Sequence, residues 1–283
     1  MWNIGFVSAT LNLNLEALLA WCDKNGFPSI EIAGAHATFF RADYLDDIKE
    51  MIADFRVKIS ALGCFLNYLD PNPEVRKRNF AELENMIEVA HGLNVNCVTC
   101  FVGQNNLLDY DGNVKLFKEE WIPRIELAQK KNVNIAIENC PAKGKYGLGG
   151  GNLMTSPAIW GELFQITPKN FGLNLDPSHL HWQLADPVLA VEEFADRIFH
   201  VHIKDTQIFK DRRDFAGIYG NGNYVYRLPG RGEIDWKAFL GALKDNGYTG
   251  TLSIEHEDPD YYGSEEKKQE ALLISKKYLE QFF

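Results

Sequence analysis

A single-domain (β/α)8 barrel of the TIM type is the fold the sequence predicts, and three observations predict it. Eight apolar, β-rich runs alternate with eight amphipathic segments along 283 residues, with no Pro-, Gly- or Ser-rich linker to divide them. In the later runs one face is apolar and the other polar, whereas an open sheet covered by helices on both sides reads apolar at every strand position. The polar faces of the last four runs also end in carboxylates and imidazoles at the carboxyl end, where parallel α/β folds place their chemistry.

The strands are expected near 3–8, 28–33, 57–65, 95–102, 133–138, 170–176, 197–204 and 250–256. The helices between them are expected near 15–24, 44–55, 74–91, 114–131, 156–166, 187–194, 235–246 and 264–282. Thr155 and Ser156 before Pro157, and Asp186 before Pro187, read as helix starts, while Gly92 and Gly247 read as stops. No GxGxxG or GxxxxGKS motif follows the first strand, so neither a dinucleotide nor a P-loop site is expected, and the Gly149–Gly151 run reads as loop.

Composition narrows the function classes. A net charge of −10 repels a polyanionic partner on average, so no nucleic-acid role is expected. The chain shows no charged and apolar leader and no apolar run near membrane-spanning length, so a cytoplasmic protein without membrane contact is expected. Five scattered cysteines do not suggest a disulfide framework. Cys97 and Cys100 have CxxC spacing, but on a strand an offset of three puts them on opposite faces, and they read as small buried hydrophobes.

The stretch Phe171–Trp182, FGLNLDPSHLHW, organises the rest. Phe171, Leu173 and Leu175 share one face; Gly172, Asn174 and Asp176 share the other. By the same parity Glu138 in NIAIENCP, His202 in FHVHIKD and Glu255 in LSIEHE point inward at neighbouring strand ends. Three carboxylates in one pocket cannot all ionise cheaply unless a cation neutralises them. Glu138, Asp176, His202 and Glu255 are therefore candidate ligands of one divalent metal ion, and a set of oxygen donors with one nitrogen suits Mn2+, Mg2+ or Co2+ at least as well as Zn2+. His179, three residues after Asp176, points toward the same mouth as a substrate contact. Lys204 is placed either at substrate oxygens or beside Asp205. His200 lies one layer deeper, and Glu257 and His256 read as supports of Glu255.

At these strand ends the chain resembles the xylose isomerase-like superfamily of sugar isomerases and epimerases, which includes ketose 3-epimerases, inosose dehydratases and the endonuclease IV branch. The motifs that carry the resemblance are IEN at Glu138, LDPSH at Asp176, HVHIKD at His202, RLPGRGEIDW from Arg227 to Trp236, and SIEHE at Glu255. It implies one metal, Mn2+ first, and a small carbohydrate substrate, with Glu138 and Glu255 doubling as acid and base. It also implies Arg227 as the counterpart of a substrate-contacting arginine. Removing a proton next to a metal-polarised carbonyl and returning it from the other face gives epimerisation; return to the adjacent carbon gives isomerisation, and loss of a hydroxyl gives dehydration.

The sequence departs from the ketose epimerases at Gly144, where they commonly carry another glutamate, and in a longer segment 205–226. Such loops set specificity in these barrels, so a metal-dependent lyase acting on an inosose or a 3-keto-glycoside is the second reading. The aromatic segment 205–230 suits a contact with a second copy or a partner subunit as well as a lid. A phosphodiesterase of the endonuclease IV kind needs further histidines where this chain has Asn67, Arg231 and Glu233.

Overall fold

In a computed structural model that describes residues 2–142 and 150–283, the strands are β1 (Asn3–Phe6), β2 (Ser29–Ile32), β3 (Lys58–Cys64), β4 (Cys97–Cys100), β5 (Asn134–Glu138), β6 (Phe171–Leu175), β7 (Ile198–Ile203), β8 (Asp205–Ile208), β9 (Tyr224–Arg227) and β10 (Thr251–Ile254). All but β8 and β9 form one parallel eight-stranded sheet in the order β1-β10-β7-β6-β5-β4-β3-β2, and a parallel bridge between Val7 and Glu31 brings its ends together. This is a single-domain TIM barrel. Gly144 and Gly149 lie outside the described residues.

The helices are α1 (Leu15–Asn25), α2 (Leu45–Ala53), α3 (Pro73–Gly92), α4 (Tyr110–Lys130), α5 (Pro157–Phe164), α6 (Pro177–Trp182), α7 (Pro187–Phe194), α8 (Lys210–Ala216), α9 (Trp236–Asp245) and α10 (Glu265–Glu280). Side-chain caps start several of them: Asn14 accepts from Ala17 N, Asn72 from Glu74 N, Asp109 from Gly112 N and Asp186 from Val188 N. Proline at the first position of α3, α5, α6 and α7 removes an N–H that would have had no partner in the helix. Between barrel and helices lies the main core, which takes Ile135, Ile137, Phe171, Leu173, Leu175, Val201, Ile203 and Ile254 from the outward strand faces. Cys97 packs inside the barrel with Ala61 and Ala136, while Cys100 joins the outer core, as opposite faces require.

Two strand pairings shift register, β2 with β3 between Ile30 and Glu31, and β6 with β7 between Leu173 and Asn174. Such irregularities re-aim side chains. The segment after β7 is not open loop: β8 and β9 pair antiparallel, Asp205 opposite Arg227 and Thr206 opposite Tyr226, with α8 between them. The hairpin is fastened by Asp205, whose fully buried carboxylate accepts from the N–H groups of Thr206, Gly230, Gly232 and Ile234 and from Trp236 Nε1, at 2.8–3.1 Å. A Cβ at position 232 would lie 2.2 Å from Asp205 Oδ1, so the PGRG turn needs its second glycine.

Candidate metal and substrate centre

The four expected ligands meet. Glu138 ends β5, Asp176 follows β6, His202 lies in β7 and Glu255 follows β10, and one ligand atom from each lies within 4.8 Å of the others. Asp176 divides its oxygens between two tasks. Oδ1 caps α6 by accepting from Ser178 N at 2.8 Å, and Oδ2 faces the cluster, buried and without a hydrogen bond. Asn139 fixes this strand end by a reciprocal pair, its amide donating to Asp176 O and accepting from Asp176 N. His202 Nδ1 is likewise buried without a hydrogen bond of good geometry, 3.2 Å from Glu255 Oε2 and 3.8 Å from Glu138 Oε1. An imidazole nitrogen and a carboxylate oxygen that no hydrogen bond occupies, set among two further carboxylates, fit a divalent cation.

His179 and Lys204 stand beside this set. His179, in α6, brings Nε2 to 3.2 Å from Glu138 Oε1 and 3.4 Å from Asp176 Oδ2, while Tyr226 of β9 meets Nδ1 at 3.1 Å. Lys204 is 1% exposed, and its ammonium reaches Glu255 Oε2 at 2.6 Å, Glu257 Oε2 at 2.9 Å and Asp176 Oδ2 at 3.1 Å. Of the two placements open for Lys204, the structure has it among the carboxylates, because Asp205 is saturated by backbone donors. Arg227 is held by Asp258 and Asp260, each 3.0 Å from its Nη1, and by Gln207 at Nε, so it ties the hairpin to the segment after β10. His200 is neutral core, with Nδ1 3.0 Å from Asn174 Oδ1 and Nε2 3.2 Å from Ser60 Oγ, and burial pushes it down to about 4.

Charge sets the protonation of the cluster. Burial opposes the charged forms of Lys204 and His202, but Asp176 and Glu255 around the first, and Glu31 and Glu255 around the second, outweigh it and hold both well above their ordinary ranges. Burial would raise Glu255, and Lys204 and His202 instead hold it well below. Glu138 is raised by burial and by Glu255, but the hydrogen bonds of His179 and His202 bring it below its ordinary value.

Glu138, Asp176, His179, His202 and Lys204 are buried, and Glu255 and Glu257 reach a cavity of about 360 Å³ lined also by Thr10, His256, Tyr262 and Lys268. Tyr226 leans over His179 and Lys204, and Tyr224 stacks on Trp182 with ring centroids 4.8 Å apart. Tyr68, one of the aromatics near the mouth, is packing, buried with its hydroxyl on Cys64 O. Cys140 joins Glu138 and His179 in a second compact group. Glu31 was not among the sequence candidates, although the alternation in SIEI points it inward with Ser29.

A barrel with these four strand ends defines a class, and the family model described as "Xylose isomerase-like TIM barrel" matches residues 19–278, so the chain belongs to that family. Among its relatives, protein YfiH of Bacillus subtilis is 39% identical over 90% of this chain and 92% of its own length. An inosose isomerase of Halalkalibacterium halodurans is 26% identical over 89% of this chain and 86% of its own. A crystal structure of the IolI protein with a bound zinc atom superposes over 99% of both chains with a TM-score of 0.75 at 23% identity, a likeness of fold. Among the described residues no helix is long and apolar enough to cross a membrane.

Proposed function

We propose that the chain is a divalent-metal-dependent carbohydrate isomerase or epimerase in which Glu138, Asp176, His202 and Glu255 hold the ion and Glu138 and Glu255 carry the proton. The observation that carries this reading is the convergence of four ligand-type side chains, two with bare buried atoms, at adjacent barrel strand ends. When bound, the ion would polarise a substrate carbonyl and neutralise the carboxylates. Mn2+ is the first candidate on the oxygen-rich donor set, with Mg2+, Co2+ and Zn2+ beside it.

The chain's own groups account for the rest. Glu138 and Glu255 come from strands on either side of β6 and β7, so one can take a proton at a carboxylate oxygen while the other returns one. His179 Nε2 and Lys204 Nζ present N–H donors next to both carboxylates and suit substrate oxygens. Tyr226 fixes the His179 ring, and with the hairpin it keeps water from that side. The likeness to inosose isomerases supports a cyclic polyol ketone as a substrate to try first.

A second reading is a lyase on an inosose or 3-keto-glycoside. The buried ammonium of Lys204 and the Tyr226–His179 pair favour it, because loss of a hydroxyl or alkoxide needs a proton donor at the leaving oxygen. Product analysis by NMR on Mn2+-loaded protein with ketoses, inososes and 3-keto-glycosides tests both. An epimer or isomer supports the first reading, an unsaturated ketone the second, and turnover unaffected by chelator overturns both.

A further inference from the structure

We infer that Glu31, at the end of β2, is the residue that orients His202 and selects Nδ1 as its metal-facing atom, a role that rests on the metal reading above. Glu31 is fully buried on the far side of the imidazole from the cluster. Its Oε2 lies 2.8 Å from His202 Nε2, and an ionised carboxylate only accepts, so Nε2 keeps its proton and Nδ1 is the nitrogen that gives up its proton to present a lone pair to an ion. Nδ1 is the atom that faces Glu138 and Glu255 without a hydrogen bond.

The carboxylate is itself held. Thr99 Oγ1 donates to Oε1 at 2.6 Å and Ser253 Oγ to Oε2 at 3.2 Å, so β4 and β10 fix a group on β2 that fixes a group on β7. Register shifts fall at Glu31 and at Asn174, whose Nδ2 lies 3.0 Å from His202 Nε2 and whose Oδ1 lies 3.0 Å from His200 Nδ1; with Nε2 protonated toward Glu31 the two amide atoms exchange places, the oxygen accepting from Nε2 and the nitrogen donating to His200 Nδ1. A carboxylate buried this deeply without such partners would be strongly destabilising. A partner that fixes the tautomer and raises the basicity of a ligating histidine typically changes metal affinity about 10- to 100-fold.

The test is Mn2+ affinity by chelator competition, with the fold of each variant checked by circular dichroism. Glu31→Ala should weaken binding toward about 100-fold, and Glu31→Gln, which keeps an acceptor but not the charge, about tenfold. In a His202→Ala background Glu31→Gln should weaken Mn2+ binding no further. A role confined to packing would lower the melting temperature of the metal-free protein and leave the affinity alone. Folded Glu31→Gln with the wild-type affinity, or with its full loss retained beside His202→Ala, overturns the inference. Should Glu31→Ala not fold, Thr99→Val with Ser253→Ala frees the carboxylate and should weaken binding several-fold; an unchanged constant overturns it. Wild-type protein that binds no Mn2+, Mg2+, Co2+ or Zn2+ overturns instead the metal reading on which Glu31 depends.

Discussion

Two fully buried aspartates lie on neighbouring parts of the barrel mouth and are treated in opposite ways. At the start of the hairpin, Asp205 receives four backbone N–H groups and an indole N–H, and the donors come from its own strand, from the loop it closes and from the first residue of α9. After β6, Asp176 gives one oxygen to a helix cap and keeps the other without a hydrogen bond, 3.1 Å from the Lys204 ammonium and beside His179 and three further ligand-type groups. Burying a carboxylate is costly in both places. The first is neutralised by peptide dipoles and holds a fold together; the second keeps an oxygen in reserve, which is what a binding site requires. Burial alone does not separate structure from function, and the completeness of the hydrogen bonding does.

The sharpest ways to break this comparison begin with the proton carriers. Glu138→Gln and Glu255→Gln should each lower turnover by about 100- to 10,000-fold with the barrel still folded, measured by steady-state rates and circular dichroism. Wild-type rates in either would end their assignment. Asp176→Asn should lose metal in equilibrium dialysis while its melting temperature in chelator stays close to that of wild type. Asp205→Ala should do the reverse, costing about 3–5 kcal/mol in denaturant unfolding because several buried donors lose their acceptor, with metal affinity retained in the folded fraction. If the two aspartates exchange these phenotypes, the distinction drawn above fails.

Smaller effects sharpen it. Tyr226→Phe removes the hydroxyl on His179 Nδ1 and should lower kcat about tenfold with little change in stability. Arg227→Ala loosens the hairpin from Asp258 and Asp260 and should cost about 1 kcal/mol, read by urea unfolding, with KM moving less than it would for a residue that touches substrate.

The parts of the molecule that were legible in the sequence were those that alternate. All eight barrel strands could be placed because Ile135 and Ile137, or Val201 and Ile203, turn outward while Asn134, Glu138, His200 and His202 turn inward. The same parity brought Glu138, Asp176, His202 and Glu255 to one point. It applied equally to Ser29 and Glu31 in β2, but a carboxylate that acts behind a ligand leaves no mark at a strand's far end. The hairpin was not legible, since DTQI and YVYR are short, lie outside the barrel and bring no aliphatic alternation, only Tyr224 and Tyr226 on one face. With it went the role of Asp205, whose donors are mostly backbone and therefore invisible in side-chain identity. Arg227 was placed by analogy of position, and the two aspartates that hold its guanidinium lie some thirty residues further on.

The central claim is that Glu138 and Glu255 move a proton, at a carbon beside a carbonyl, in a site that a divalent ion completes. Its most direct test is solvent label: Mn2+-loaded protein in D2O with inososes, ketoses and 3-keto-glycosides, followed by NMR. The account predicts deuterium at the carbon next to the carbonyl, in product and in recovered substrate, and loss of that exchange with chelator or in Glu138→Gln and Glu255→Gln. Product that forms without taking up deuterium would mean the hydrogen moves directly between carbons, and exchange that persists in chelator would mean no ion is needed; either result would contradict the account.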